Sequence, residues 1–160
     1  MTITDNIKHL LAEANISYQD RSHDPTFTSV ESAAARGEDL STGAKAIVYK
    51  VQSDFYLFVM AADKRIDTKK VKAYFKANGL KAKKTRFASQ EELHELTGLV
   101  PGSVPPFGEP ILPFKLFVDP SLANNQRISF NAGSLTYSIT MGYDDYLKIS
   151  NGEIIDFTND

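Results

Sequence analysis

Residues 101 to 108 read Pro-Gly-Ser-Val-Pro-Pro-Phe-Gly, a run that interrupts any helix or interior strand. Pro101, Pro105 and Pro106 each fix φ and lack a backbone donor, while Gly102 and Gly108 open conformations closed to other residues. Whatever the chain folds into must therefore be built on either side of a stiff loop. With Glu109 as its one charged neighbour, such a loop can present backbone amides that bind an anion or polarise a carbonyl. Its plainer use is a turn that holds Phe107 in the core.

The flanking segments alternate between helical and extended patterns. Ile7, Leu10, Leu11 and Ala14 stand at helical spacing within residues 4 to 15, behind a Thr4 or Asp5 cap. Residues 18 to 27 hold Asp24-Pro25 and read as extended or turn-like. Thr28-Ser-Val-Glu31 is a capping box for a second helix through Ala35, which Gly37 ends. Residues 44 to 51 and 55 to 61 are rich in Ile, Val, Tyr and Phe, and are separated by a short polar turn, which predicts a hairpin. Asp67 caps a third helix with Val71, Tyr74 and Phe75 inward, and Asn78-Gly79 stops it. A short strand is expected over 82 to 87. Ser89-Gln-Glu-Glu92 caps a helix that closes at Gly98, immediately before the rigid loop. Strands are expected at 114 to 119, 127 to 130 and 135 to 141, then a helix over 144 to 149 and an edge strand or frayed tail from Glu153. The pattern predicts one mixed α/β (α+β) domain over residues 1 to 160, with a largely antiparallel, barrel-like sheet flanked by helices.

Composition removes several classes of chemistry. The chain has no cysteine, and its three histidines lie apart at 9, 23 and 94. Disulfides, cysteine nucleophiles and a histidine metal cluster are therefore not expected, and neither a metal nor a cofactor is implied. No apolar run approaches a membrane span, and the N-terminus lacks the layout of a signal peptide, so a soluble, cytoplasmic protein without a membrane partner is expected. Ten of the 18 basic residues fall between Lys64 and Arg86, against one acid, Asp67. That segment carries +9 and the remainder −11, a separation able to attract a polyanion despite the net charge of −2.

The familiar hydrolase and nucleotide-binding signatures are missing: there is no G-x-S-x-G, H-E-x-x-H, Walker A or G-x-G-x-x-G. Lys45 interrupts the apolar strand start Gly43-Ala-Lys-Ala-Ile-Val48, and alternation sets it on one face with Ile47. A lysine on a buried face needs an anionic partner or access to a cavity, unless it snorkels at the strand end.

Three ordered blocks then read together: Gly43 to Val48, Ala61-Ala-Asp-Lys-Arg-Ile-Asp-Thr-Lys-Lys70, and Leu96 through Gly108. They resemble the YbaK and prolyl-tRNA synthetase-associated editing domains, and the Thr28 and Phe130-Asn-Ala-Gly133 blocks extend the resemblance over nearly the whole chain. It implies a freestanding aminoacyl-tRNA deacylase that edits in trans, removing a small amino acid from a proline-type or related tRNA. Lys45 would engage a phosphate of the CCA end, and the Gly102, Ser103 and Pro106 loop would sit at the ester carbonyl. Asn131 is implied as a contact of the acyl group, with Phe27, Thr28, Met60, Val104 and Gly133 as further pocket residues. Lys69, Lys72 and Lys76 would carry the tRNA backbone. The partners implied are the aminoacyl-tRNA acceptor end and, secondarily, an aminoacyl-tRNA synthetase. The alternative is a non-catalytic module of the same fold that binds tRNA or a synthetase.

Overall fold

The computed structural model describes residues 1–160. Helix α1 (Ile3–Glu13) is followed by strand β1 (Gln19–Ser22), helix α2 (Ser29–Arg36), and the long hairpin of β2 (Ala44–Val51) and β3 (Asp54–Ala61). Next come β4 (Arg65–Ile66), α3 (Thr68–Ala77), β5 (Thr85–Phe87) and α4 (Gln90–Thr97). After the rigid loop the chain forms β6 (Leu116–Val118), β7 (Arg127–Asn131), β8 (Tyr137–Gly142), α5 (Tyr143–Ser150), β9 (Glu153–Ile154) and β10 (Thr158–Asn159).

Three sheets result: a five-stranded one in the order β5-β2-β3-β6-β9, a three-stranded one in the order β1-β8-β7, and the pair β10-β4. Most pairings are antiparallel, as expected, but β3 with β6 and β6 with β9 run parallel. The sheets do not close into a barrel. A single parallel bridge, Gly43 with Ser129, joins the edge of the large sheet to the three-stranded one, and the opening beside that bridge is where the cavity described below lies.

The β2–β3 hairpin divides the interior. Val48, Leu57 and Val59 face a large core shared with α1, β7, β8 and Phe107 of the loop. Tyr49, Val51, Phe58 and Met60 face a smaller core under α3, filled by Val71, Phe75 and Phe157. Period-2 alternation on a sheet buried on both sides explains why both registers of β2 are apolar. Val71 and Phe75 are almost completely buried, each contributing on the order of 1.5–3 kcal/mol of transfer free energy.

The caps at Thr28, Asp67 and Ser89 form as expected, and Thr28 and Ser89 complete their boxes with Glu31 and Glu92. The first helix starts earlier than expected. Thr2 is its cap and Asp5 is the returning member of a box, because the Asp5 carboxylate reaches back to the Thr2 amide at 3.2 Å. The tail is ordered, not frayed. Buried Asp119 accepts from the Phe157 amide and the Thr158 hydroxyl, each at 3.0 Å, and this clamps β10 beside β4.

Candidate active site

A cavity of about 280 Å³ opens between α2, the start of β2, the rigid loop and β7. Lys45, Gly102, Phe27, Thr28, Val104 and Asn131 all line it. Residues up to 104 positions apart in sequence thus share one space. The cavity also draws in Ser32, Arg36, Ala46 and Ser129, which the reading of the sequence did not single out.

Lys45 is half-buried and hydrogen-bonds through Nζ to the carbonyl of Lys64. No carboxylate forms an ion pair with it. Burial holds its pKa below the ordinary lysine value; Arg65 pushes the same way and Asp63 opposes. An incoming anion would meet an incompletely neutralised ammonium. Helix α3 packs over the same face of the sheet, and Lys69 and Lys76 on it are exposed while Lys72 is half-buried. Of the ten basic residues between 64 and 86, only Lys64, Lys70 and Arg86 pair with acids.

The loop is anchored at two points. Phe107 sits edge-on to Phe130 and Tyr146, with both centroids at 5.5 Å, and the buried Tyr146 hydroxyl donates to the Pro106 carbonyl at 2.6 Å. Gly102 has φ +90°, and a Cβ there would lie 3.2 Å from Leu135 and 3.3 Å from the Phe27 carbonyl. Glycine is required by conformation and by space.

The amides of this loop divide into committed and free. The Ser103 amide donates to the Val100 carbonyl at 3.1 Å, and its hydroxyl donates to the same carbonyl at 2.7 Å. Ser103 is therefore an internal brace, and its amide is not available to a ligand. The amides of Gly102 and Val104 have no acceptor in the protein. A third free amide is that of Ala46. Strand β5 pairs only with residues 49 to 51, and the Val48 carbonyl is taken by Ala88, so the next backbone unit facing that side, Ala46, is paired with Val59 of β3 but has no β5 partner. An unpaired sheet edge along a cavity is a ready acceptor-binding row.

The opposite wall is made of side chains. Alternation along β7 turns Ile128 and Phe130 into the core and Ser129 and Asn131 toward the cavity. On α2, Thr28, Ser32 and Arg36 form one stripe at four-residue spacing. These polar groups bind one another: Asn131 donates to the Gly102 carbonyl at 2.8 Å and to Thr26 at 3.2 Å. Its side-chain oxygen accepts from Ser138 at 2.9 Å and from Arg36 at 3.3 Å. Asn131 lines the cavity with its hydrogen-bonding capacity already used within the protein, and one of its bonds holds the Gly102 carbonyl. His23 joins the network through Nε2 and the Ser138 hydroxyl at 2.8 Å.

Besides Ser103, three expected site residues lie outside the cavity lining. Met60 is fully buried in the core under α3, cross-strand from Lys45, because it faces the apolar helix and not the cavity. Pro106 is buried and acts as the acceptor that holds Tyr146. Gly133 packs against α1, where a Cβ would lie 3.0 Å from Ile3.

Comparison with known proteins gives the family and the fold. The family model described as the aminoacyl-tRNA editing domain matches residues 23–149. The chain is 34% identical to the multifunctional Ser/Thr-tRNA deacylase ProXp-y of Escherichia coli strain K12, over 92% of this chain and 88% of that protein. It superposes on the crystal structure of a proposed trans-editing enzyme for prolyl-tRNA synthetase with a TM-score of 0.80, at 22% identity over 100% and 99% of the two chains. A crystal structure of a hypothetical protein matches with a TM-score of 0.79, at 21% identity over 96% and 99%. These two structures show the shared fold alone.

Proposed function

The chain belongs to the aminoacyl-tRNA editing family, and from that premise we propose that it is a deacylase that hydrolyses the ester of mischarged tRNA in trans, with seryl and threonyl esters as its substrates. The amino-acid preference follows the name of the Escherichia coli relative. The observation that carries the reading is a single cavity lined by a lysine without an ion-pair partner and by unpaired backbone amides of a rigid loop.

In this reading Lys45 holds a phosphate of the CCA end, and the exposed Lys69 and Lys76, with the half-buried Lys72, carry the tRNA backbone beyond it. The acyl group enters beneath Gly102. Water adds to the ester carbonyl carbon, and the negative charge that develops on the carbonyl oxygen is met by the amides of Gly102, Val104 and Ala46. Fixed dipoles of this kind stabilise the transition state without reorganising during the reaction. The bond between the carbonyl carbon and the ribose oxygen then breaks, giving the free amino acid and a ribose hydroxyl. The neighbouring ribose hydroxyl orients the water, since no carboxylate or histidine is among the cavity-lining residues. The work belongs to translation quality control, hence to the cytoplasm, and a synthetase is the natural source of its substrate.

The deciding experiment is a deacylation panel of tRNAs charged with different small amino acids, run with the native chain and with Lys45→Ala. Hydrolysis by the native chain and a loss of about 100-fold in kcat/KM for the variant are expected. Inactivity of the native chain across the panel would favour the binding-module alternative, and full activity of Lys45→Ala would remove the role given to the lysine.

A further inference from the structure

One cation in the cavity is left without a task by the chemistry above. Arg36 lines the cavity, is about nine-tenths buried, and comes from the last turn of α2. Its Nε donates to Ser138 at 3.1 Å and its Nη2 to Asn131 at 3.3 Å. A guanidinium carries five N–H donors in a fixed plane, so the Nη1 pair and one Nη2 hydrogen have no protein acceptor. Glu38 Oε1 is the only sealed side-chain polar atom without a partner, so Nη1, which has none, is not sealed and opens at the cavity that Arg36 lines. A Cβ on Gly43 would lie 3.8 Å from Nη1, which sets the free end of the fork against the chain two residues before Lys45.

The other buried polar side chains of this wall are occupied. Ser32 pairs with Thr26 at 2.8 Å, Ser129 with Thr140 at 2.7 Å and Glu38 at 3.1 Å, and Asn131 is saturated. What arrives here must therefore be an acceptor for Arg36. Charge decides which kind. A hydroxyl oxygen accepts from a guanidinium and adds no charge to a site about nine-tenths buried. A neutral acceptor suffices, and a cationic side chain would be repelled.

Resting on the deacylase reading above, we infer that Arg36 determines specificity by donating a hydrogen bond to the side-chain hydroxyl of a seryl or threonyl ester. Asn131 and Ser138 hold the fork in the plane this requires. The Gly102 loop takes the ester, and α2 reads the side chain. A site that hydrogen-bonds a hydroxyl rejects the analogue lacking it, because its donors are then left to disordered water or unpaired.

The test compares seryl-, threonyl- and alanyl-tRNA as substrates of the native chain, of Arg36→Met and of Arg36→Lys. The native chain should prefer the seryl over the alanyl ester by about 10- to 100-fold in kcat/KM. Arg36→Met should lower the seryl rate by more than the alanyl rate, so that the seryl-to-alanyl ratio of kcat/KM falls to about 1. Arg36→Lys, which keeps the charge but not the fork, should lose most of the preference and serves if the methionine variant does not fold. Equal native rates on seryl and alanyl esters would overturn the inference while leaving the deacylase intact. An equal fall on both esters in a folded variant would also overturn it, by assigning Arg36 to the ester carbonyl. A native chain that hydrolyses none of the three would instead defeat the reading on which the inference rests.

Discussion

The two walls of the cavity are built on opposite principles. The loop wall is backbone held by proline, glycine and one buried tyrosine, and it offers amides at Gly102 and Val104. The wall of α2 and β7 is a network of side chains, Ser32, Arg36, Ser129 and Asn131, most of whose hydrogen bonds are internal. The first suits chemistry common to every ester, since each presents the same carbonyl. The second suits discrimination, since only side chains vary enough to distinguish one acyl group from another. One bond joins them: Asn131 to the Gly102 carbonyl.

Substitutions can separate the two walls. Gly102→Ala attacks the loop directly. Its φ of +90° and the contacts at 3.2 and 3.3 Å predict a loss of about 100-fold or more in kcat/KM on all esters alike, with about 1–3 kcal/mol of backbone strain visible as a lower Tm. A loss confined to one amino acid would contradict the division. Asn131→Ala cuts the link and leaves Arg36, Ser138 and the Gly102 carbonyl each short of a partner. It should cost about 2 kcal/mol in denaturant unfolding, and a double-mutant cycle with Gly102→Ala should give non-additive kcat/KM values. Additivity would show that the walls act independently.

Tyr146→Phe removes the hydroxyl that holds Pro106 and strands a buried carbonyl. Urea titration should show a loss of about 1–2 kcal/mol, with kcat/KM reduced far less than by Gly102→Ala. The smallest effect is expected at the approach to the loop, where Glu92 bonds Arg86, the Ser89 amide and the capping hydroxyl. These bonds, that to Arg86 foremost, hold its carboxyl down at about 2, against 4.5 for a free glutamate. A depressed folded-state value means a contribution fully present above about pH 4.5 and lost as pH falls toward 2. The Tm difference between the native chain and Glu92→Gln should therefore shrink through that window. A difference independent of pH would mean that the pair contributes nothing at this exposed site.

How legible each wall was in the sequence follows from its construction. Proline and glycine act on the backbone of their own residues, so the loop could be recognised as rigid without knowing its surroundings. The same locality exposed the caps at Thr28, Asp67 and Ser89 and the β2–β3 hairpin. The bond of the Ser103 amide to Val100 is not legible in the sequence, which does not say which amides are already taken. The place of Met60 in a core and not at the cavity is not legible either, because both faces of the hairpin are buried and alternation does not tell a cavity from a core. Arg36 had one usable signal: with Ser32 it forms a polar pair four residues apart in an otherwise alanine-rich helix. Ser129 and Asn131 had another in their alternation with Ile128 and Phe130.

By itself the sequence determined the local pieces: where helices begin, where the hairpin turns, which loop is rigid and where positive charge is concentrated. Each depends on φ preferences, capping and periodicity over a few residues. Only the tertiary structure decided which amides remain free, that the sheets stay open instead of closing into a barrel, and that an arginine from α2 enters the cavity of Lys45. Those outcomes depend on which groups far apart in the chain satisfy one another, since a donor is free only when every possible acceptor has been placed.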